Sequence, residues 1–185
     1  TRNGTYENMS SMTGNTEGEL WMISDEGHLF HFSTETMECH HVNAYSLRTN
    51  SNFFPIAITL SIKNQIDNPE FYLSGYFFGE YTVEIVFVKL TYDELHVVSS
   101  FEYEDTLYAP EIISSSQDEL FGFVSISNNE QHLLEIDSHT GEYEYIESLY
   151  LDIESELTFF YNIDKFWFFK QEENQTEIHT FNPIT

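Results

Sequence analysis

Four short aromatic runs recur along the chain at nearly constant spacing, and this repeat constrains the fold more than any other feature of the sequence. The runs begin at residues 20, 71, 120 and 166, so the intervals between them are 51, 49 and 46 residues. They read Leu-Trp-Met-Ile, Phe-Tyr-Leu, Leu-Phe-Gly-Phe and Phe-Trp-Phe-Phe. A period of this size indicates an array of similar units, each of which buries its apolar face against its neighbours.

Each unit contains further short segments with the two-residue alternation of β-strands. The clearest covers residues 142–146, where Tyr143 and Tyr145 fall on one face and Glu142 and Glu144 on the other. Gly141 lies in the turn before this segment, and we expect it to adopt a positive φ. The 17 Phe and 12 Tyr residues, against three Ala, also favour strand over helix. The pattern predicts an all-β fold of successive antiparallel meanders.

The third unit resembles one blade of the broad β-propeller class, in the style of NHL, kelch-like and quinoprotein repeats. Residues 133–141, Leu-Leu-Glu-Ile-Asp-Ser-His-Thr-Gly, match the hairpin pattern L-x-x-I-D-x-x-T-G of those repeats. The first unit, over residues 20–38, is a weaker copy of the same arrangement. The resemblance implies a β-propeller, and it transfers no function or site residue from a particular family.

We predict a single β-propeller domain, or a fragment of one, with about four four-stranded blades over residues 1–185. The first blade lacks a clear innermost strand unless residues 5–9 supply it. We expect the chain to be part of a larger propeller of about six to eight blades. The alternative is a closed four-blade ring in which the segment near Tyr6 pairs with the last blade. The blade-like units are expected at residues 5–48, 53–101, 105–148 and 154–185.

The chain carries 32 acidic and 6 basic side chains, which gives a formal net charge of −26. So few Lys and Arg residues cannot build a phosphate-binding surface, and nucleic-acid binding is therefore not expected. No apolar run approaches the roughly 18 residues of a membrane span, which argues against membrane insertion. Most acidic residues fall in turns or at alternating strand positions, where a solvated acidic face is the preferred interpretation. Calcium, bound by carboxylate-rich loops, is the one cofactor kept as a candidate.

Four residues near the start of the chain have the chemistry of metal ligands, because imidazole and thiolate both bind zinc. They are His28, His31, Cys39 and His40. His40 and the adjacent His41 point to opposite faces of a strand, so at most one of the two joins a site. Ordinary strand histidines are the preferred interpretation. Cys39 is the only cysteine, which excludes an intrachain disulfide.

Three glycosylation sequons occur, at Asn3, Asn8 and Asn174. The sequons favour an extracellular or secreted setting over the cytoplasm. The aromatic segment 75–79 has two possible interpretations, an exposed binding tip or a strand packed between blades. Packing between blades is the preferred interpretation of that segment.

No nucleophile elbow and no glycine-rich phosphate loop is present in the sequence, and no catalytic residue is assigned. The leading hypothesis is a non-catalytic propeller module for protein–protein interaction or assembly, because propellers present loops on a rigid scaffold. The first alternative is a carbohydrate-active hydrolase or lyase that uses acidic residues on the propeller face. The second alternative is a structural subunit of an extracellular assembly. Catalytic activity stays open.

Overall fold

The computed structural model describes residues 8–15, 17–42, 52–61, 69–91, 95–102, 109–115, 119–127, 130–150, 157–162, 165–171 and 176–182. These residues form fifteen β-strands and no α-helix. The described part of the chain thus has no helix with the length and apolarity to span a bilayer. The strands are β1 Met9–Gly14, β2 Glu19–Ser24, β3 Leu29–Ser33, β4 Glu38–His41, β5 Phe53–Leu60, β6 Phe71–Phe78, β7 Val83–Leu90, β8 Leu95–Ser100, β9 Glu111–Ser114, β10 Leu120–Ser127, β11 Glu130–Ile136, β12 Tyr143–Leu149, β13 Leu157–Asn162, β14 Lys165–Gln171 and β15 Thr176–Phe181.

The strands form four antiparallel sheets in chain order, and each sheet is a meander in which consecutive strands pair. Sheet 1 contains β1–β4, sheet 2 contains β5–β8, sheet 3 contains β9–β12 and sheet 4 contains β13–β15. The prediction of an all-β fold is therefore confirmed. Each aromatic run lies on the second strand of its sheet, which pairs with a strand on either side, and aromatic side chains are enriched in strands.

The first strand of sheet 1 is a segment that the sequence did not indicate. Residues 5–9 were the one segment considered for this place, and residues 5–7 lie outside the described residues. The structure instead has β1, whose sequence Met-Ser-Ser-Met-Thr-Gly carries few apolar side chains. Its hydroxyl groups accept hydrogen bonds from the neighbouring sheet, and the strand therefore lacks the alternation of apolar residues that indicates a strand.

The first strands of successive sheets contact one another, β1 with β5, β5 with β9 and β9 with β13. Ser11 Oγ accepts a hydrogen bond from the Ile58 N–H at 3.2 Å, and Thr13 Oγ1 accepts one from the Leu60 N–H at 3.1 Å. Two residues of β1 thus satisfy two alternate backbone donors of β5. Unpaired donors at a sheet edge are costly when buried, so these hydroxyls stabilise the junction of sheets 1 and 2.

Hydrogen bonds between side-chain hydroxyls and backbone groups also join sheets 2 and 3, and they involve Thr59 and Ser114. Thr59 Oγ1 accepts a hydrogen bond from the Ser114 N–H at 2.9 Å. Ser114 Oγ donates to the Leu60 carbonyl oxygen at 2.7 Å. Thr59 is buried, so the hydrogen bonds of its hydroxyl are protected from competing water. The four hydroxyl residues Ser11, Thr13, Thr59 and Ser114 form a seam between the first strands.

Apolar side chains are buried between successive sheets, and the aromatic runs supply the central contacts. Trp21 of sheet 1 meets Phe71 of sheet 2 edge to face, with ring centroids 5.7 Å apart. Phe121 of sheet 3 meets Phe166 of sheet 4 in the same way, at 5.0 Å. Neighbouring residues of a strand point to opposite faces, so the runs of sheets 2 and 3 each pack against both the preceding and the following sheet. The corresponding residues between sheets 2 and 3 are Tyr72 and Leu120.

The turn before β12 has the geometry that its sequence predicts. Gly141 has a φ of 71°, which confirms the expected positive φ. Asp137 Oδ1 accepts hydrogen bonds from the Thr140 and His139 N–H groups, both at 2.8 Å. These backbone donors stabilise the carboxylate and hold the pKa of Asp137 below its ordinary value.

Candidate functional site

The structure brings together two of the four candidate metal ligands. His31 on β3 and His40 on β4 are cross-strand partners in sheet 1, so their side chains share one face. Cys39 lies opposite Phe32 and therefore projects from the other face. His28 instead makes an edge-to-face ring contact with His41, with centroids 5.3 Å apart.

Two glutamates flank the pair of histidines. The Nε2 atom of His31 contacts a carboxylate oxygen of Glu19 on β2. The Nε2 atom of His40 lies 3.5 Å from Oε2 of Glu38. We call His31, His40, Glu19 and Glu38 the histidine–carboxylate face. As these side chains are arranged, no three His, Cys, Asp or Glu residues of the described segments are placed to hold a metal ion together.

His31 and Glu19 are held in place by their neighbours. The indole ring of Trp21 stacks on the His31 ring, with centroids 5.2 Å apart and planes inclined by 28°. Ser33 Oγ donates a hydrogen bond to Glu19 Oε1 at 3.1 Å. About a third or less of each of these two side chains is exposed, 30% for His31 and 26% for Glu19. His40 and Glu38 are each 65% exposed and project into solvent.

The sequon at Asn8 lies at the start of β1, and its side chain is exposed. Asn8 Nδ2 donates a hydrogen bond to Asp25 Oδ2 at 3.1 Å, and the Asn8 carbonyl accepts one from the Asp25 N–H at 2.9 Å. The sequons at Asn3 and Asn174 lie outside the described residues. Glycosylation therefore stays a prediction.

The aromatic segment 75–79 is partly buried and partly exposed. Gly75 is buried under Phe53, whereas Phe78 at the end of β6 is 45% exposed. The hairpin that follows carries two further exposed apolar residues, Tyr81 at 89% and Val83 at 61%. The segment thus contains a packed strand and, beyond it, an apolar hairpin end. We call residues 78–83 the β6–β7 tip.

Backbone hydrogen bonds define the shape of the β6–β7 tip. The Gly79 N–H donates to the Thr82 carbonyl at 2.9 Å and closes the turn. The Phe78 N–H donates to the Asn52 carbonyl at 3.0 Å and ties the hairpin to the residue before β5. Phe78 and Val83 are cross-strand partners, so both side chains stand on one face. The tip is therefore an ordered apolar projection.

One carboxyl group lies on the first strands, where the sheets meet. Glu111 at the start of β9 is the only acidic residue on β1, β5, β9 and β13 as the structure describes them. Its side chain is exposed at the start of the strand, although nearby protein atoms displace part of the water around the carboxylate. This partial desolvation penalises the charged form and raises the pKa of Glu111 above its ordinary value.

Glu111→Gln is expected to stabilise the protein at pH 7 and to have little effect at pH 4. The folded-state pKa is raised above the ordinary value of 4.5. Stability is therefore lost as pH rises from that value through the folded pKa, and removal of the charge restores it. Thermal unfolding of both proteins at the two pH values measures the difference.

The matched control for this substitution is Glu144→Gln on β12, which removes one charge from an exposed strand position. It separates the local effect at Glu111 from the general relief of charge repulsion in a chain of net charge −26. Equal stabilisation by the two variants, or destabilisation by Glu111→Gln at pH 7, would contradict the expectation.

Comparison with known proteins gives a likeness in fold. Neither the family models nor the curated proteins include a match to this chain. A complex of KlAtg21 with the coiled coil of AgAtg16 has a TM-score of 0.54 at 10% identity, over 96% of this chain and 53% of that chain. A putative exo-β-1,3-galactanase from Bifidobacterium bifidum scores 0.53 at 6% identity, over 94% of this chain and 65% of that chain.

A putative oxidoreductase (glucose dehydrogenase) from Thermus thermophilus scores 0.52 at 8% identity, over 96% of this chain and 85% of that chain. The chain spans less than two thirds of the length of the first two of these three structures. Identities this low show the fold alone. In fold, the chain is thus similar to solved structures that comprise propeller-like enzymes and other β-rich proteins.

Proposed function

We propose that the chain forms blades of a β-propeller and acts as a non-catalytic module that binds another protein through the β6–β7 tip. Three features support the propeller. The sheets are meanders in chain order, their first strands contact one another, and the aromatic runs pack each sheet on the next. Blades arranged around an axis have this organisation.

The exposed apolar side chains of the tip carry the proposal of protein binding. Phe78, Tyr81 and Val83 project from a hairpin whose backbone is closed by hydrogen bonds. Grouped apolar side chains in water mark interaction sites, and aromatic anchors dominate the binding energy of many interfaces. An ordered tip also loses little conformational entropy when it is bound.

The charge around the tip indicates the chemistry of the partner. Glu80 and Glu84 flank the apolar side chains and are exposed. The chain as a whole carries a net charge of −26. A surface that receives this tip therefore combines an apolar pocket with a rim of Lys and Arg, because complementary charge speeds encounter and excludes wrong partners.

Photo-crosslinking tests the proposal. A benzophenone amino acid at position 81 is expected to capture a protein partner from an extract of the source cells. The same amino acid at position 150 is the matched control, because Tyr150 is 77% exposed but lies outside the tip. The triple variant Phe78→Ser, Val83→Thr and Glu80→Gln, crosslinked from position 81, is expected to lose the product.

The mass of the product distinguishes two kinds of assembly. A product of twice the chain mass indicates contact between copies of this chain, as in the structural-subunit alternative, and a different mass indicates another protein. Equal capture from positions 81 and 150, or capture that survives in the triple variant, would refute binding through the tip.

A carbohydrate-active hydrolase or lyase is the second candidate, and Glu111 is the observation that favours it. A carboxyl group with a raised pKa near the meeting point of the sheets is a candidate general acid, because a raised pKa favours its protonated form. Glycoside hydrolysis needs two carboxyl groups about 5–10 Å apart. The described first strands supply only Glu111, so this candidate ranks behind protein binding.

A further inference from the structure

We infer that the histidine–carboxylate face of sheet 1 binds a divalent transition-metal ion of the Zn²⁺ class between His31 and His40. The register of the β3–β4 hairpin makes these two histidines cross-strand partners. Partners of this kind have Cβ atoms about 4.5–5.5 Å apart and point to the same side of the sheet. Two imidazoles in this relation can bind one ion at the usual Zn–N distance of about 2.0–2.1 Å.

The two glutamates complete a suitable set of donor atoms. Glu19 and Glu38 are neighbours of the histidines on the same face, and each carboxylate faces the Nε2 atom of one histidine. Nitrogen from imidazole and oxygen from carboxylate together suit Zn²⁺ better than Ca²⁺, which prefers oxygen ligands alone. The two carboxylates also neutralise the charge of a divalent ion.

One half of the site is held in place, and the other half can move. Trp21 stacks on His31 and Ser33 donates a hydrogen bond to Glu19, so this half is ordered. His40 and Glu38 are each 65% exposed, and their side chains can rotate toward His31 without loss of buried contacts. Rotation of His40 is needed, because the described side chains as arranged do not place three ligands around one point.

Calorimetric titration of the full chain with ZnCl₂ tests the inference. The titration is performed in millimolar Ca²⁺, which occupies the many surface carboxylates that bind cations without selectivity. We expect one Zn²⁺ per chain, and we expect His40→Asn to weaken this binding by about 10-fold or more, since it removes a ligand. His40 is exposed, so this variant is expected to fold, and circular dichroism verifies that it does.

His41→Asn is the matched control, because His41 is the next residue on β4 and projects from the opposite face. We expect the control to bind Zn²⁺ as the unmodified chain does. Co²⁺ provides a second measurement, because its visible absorption reports tetrahedral nitrogen and oxygen ligands, and His40→Asn is expected to abolish that absorption. Unchanged binding in His40→Asn, equal loss in His41→Asn, or only multiple weak sites in the unmodified chain would overturn the inference.

Discussion

Phe166→Ala is expected to lower the free energy of unfolding by about 3–5 kcal/mol, the range for truncation of a buried aromatic side chain. Phe166 is fully buried and meets the rings of Phe121 and Phe123 edge to face, with centroids 5.0 and 5.4 Å away. The substitution removes the central contact between sheets 3 and 4 and leaves a cavity. Urea denaturation followed by far-ultraviolet circular dichroism measures the change.

Two further variants test whether the lost stability comes from the contact between Phe166 and sheet 3. Phe166→Leu keeps much of the apolar volume and is expected to cost less than Phe166→Ala. Ile178→Ala truncates a side chain of sheet 4 that is 58% exposed, and it is expected to change stability by less than about 0.5 kcal/mol. A loss below about 1 kcal/mol for Phe166→Ala would mean that sheet 4 does not depend on packing against sheet 3.

Gly75→Ala is expected to destabilise the protein by about 3 kcal/mol or to prevent folding, because an added methyl group has no room. A Cβ atom at this position would overlap the carbonyl oxygen of Phe54 and lie 2.8 and 2.9 Å from two ring atoms of Phe53. Phe53 is fully buried and cannot move aside. Soluble yield and the thermal unfolding midpoint report the effect.

Gly79→Ala in the same hairpin is the matched control. A Cβ atom at position 79 would lie 2.7 Å from Thr82 Oγ1, which is the end of a rotatable and exposed side chain. We expect this variant to lose less than about 1 kcal/mol. Similar losses in the two variants would show that the packing of sheet 2 does not depend on close approach at Gly75.

The strands that carry the aromatic runs were predictable because their signals are local. β6 is dense in aromatic side chains and β10 combines aromatic with β-branched ones, and both residue types are enriched in strands. The turn at Gly141 was predictable for the same reason, since glycine adopts a positive φ without steric cost. Short-range sterics and side-chain alternation thus account for the all-β fold.

β1 was not predictable from the sequence, because its polar side chains bind the backbone of another sheet. Ser11 and Thr13 alternate along the strand, but they point their hydroxyls at the backbone of β5 and not at a core of their own. Nothing within residues 9–14 indicates that a second strand needs these acceptors. Only the contacts between β1 and the distant β5 therefore identify β1 as a strand.

For the candidate sites, too, the sequence shows the residue types, whereas the tertiary structure decides which residues meet. The sequence identified His31 and His40 as metal-type residues, but the register of β3 against β4 determines which residue faces His31. A register shift of one residue would place Cys39 or His41 opposite His31. The same shift would turn the side chain of His40 to the other face of the sheet. The exposed end of the segment 75–79 likewise depends on where β6 leaves the core, and composition alone does not specify that point.

Local chemistry, then, is sufficient to predict the strands that carry the aromatic runs and the repeat of about 50 residues, because propensity and period are properties of neighbouring residues. Register and the order in which the sheets pack arise from contacts across tens of residues. Those contacts place His31 beside His40, bury Phe166 between sheets 3 and 4, and leave Tyr81 exposed to solvent. The positions of these side chains in space follow from the tertiary fold, since a two-residue period specifies a face of a strand and not the partner that covers it.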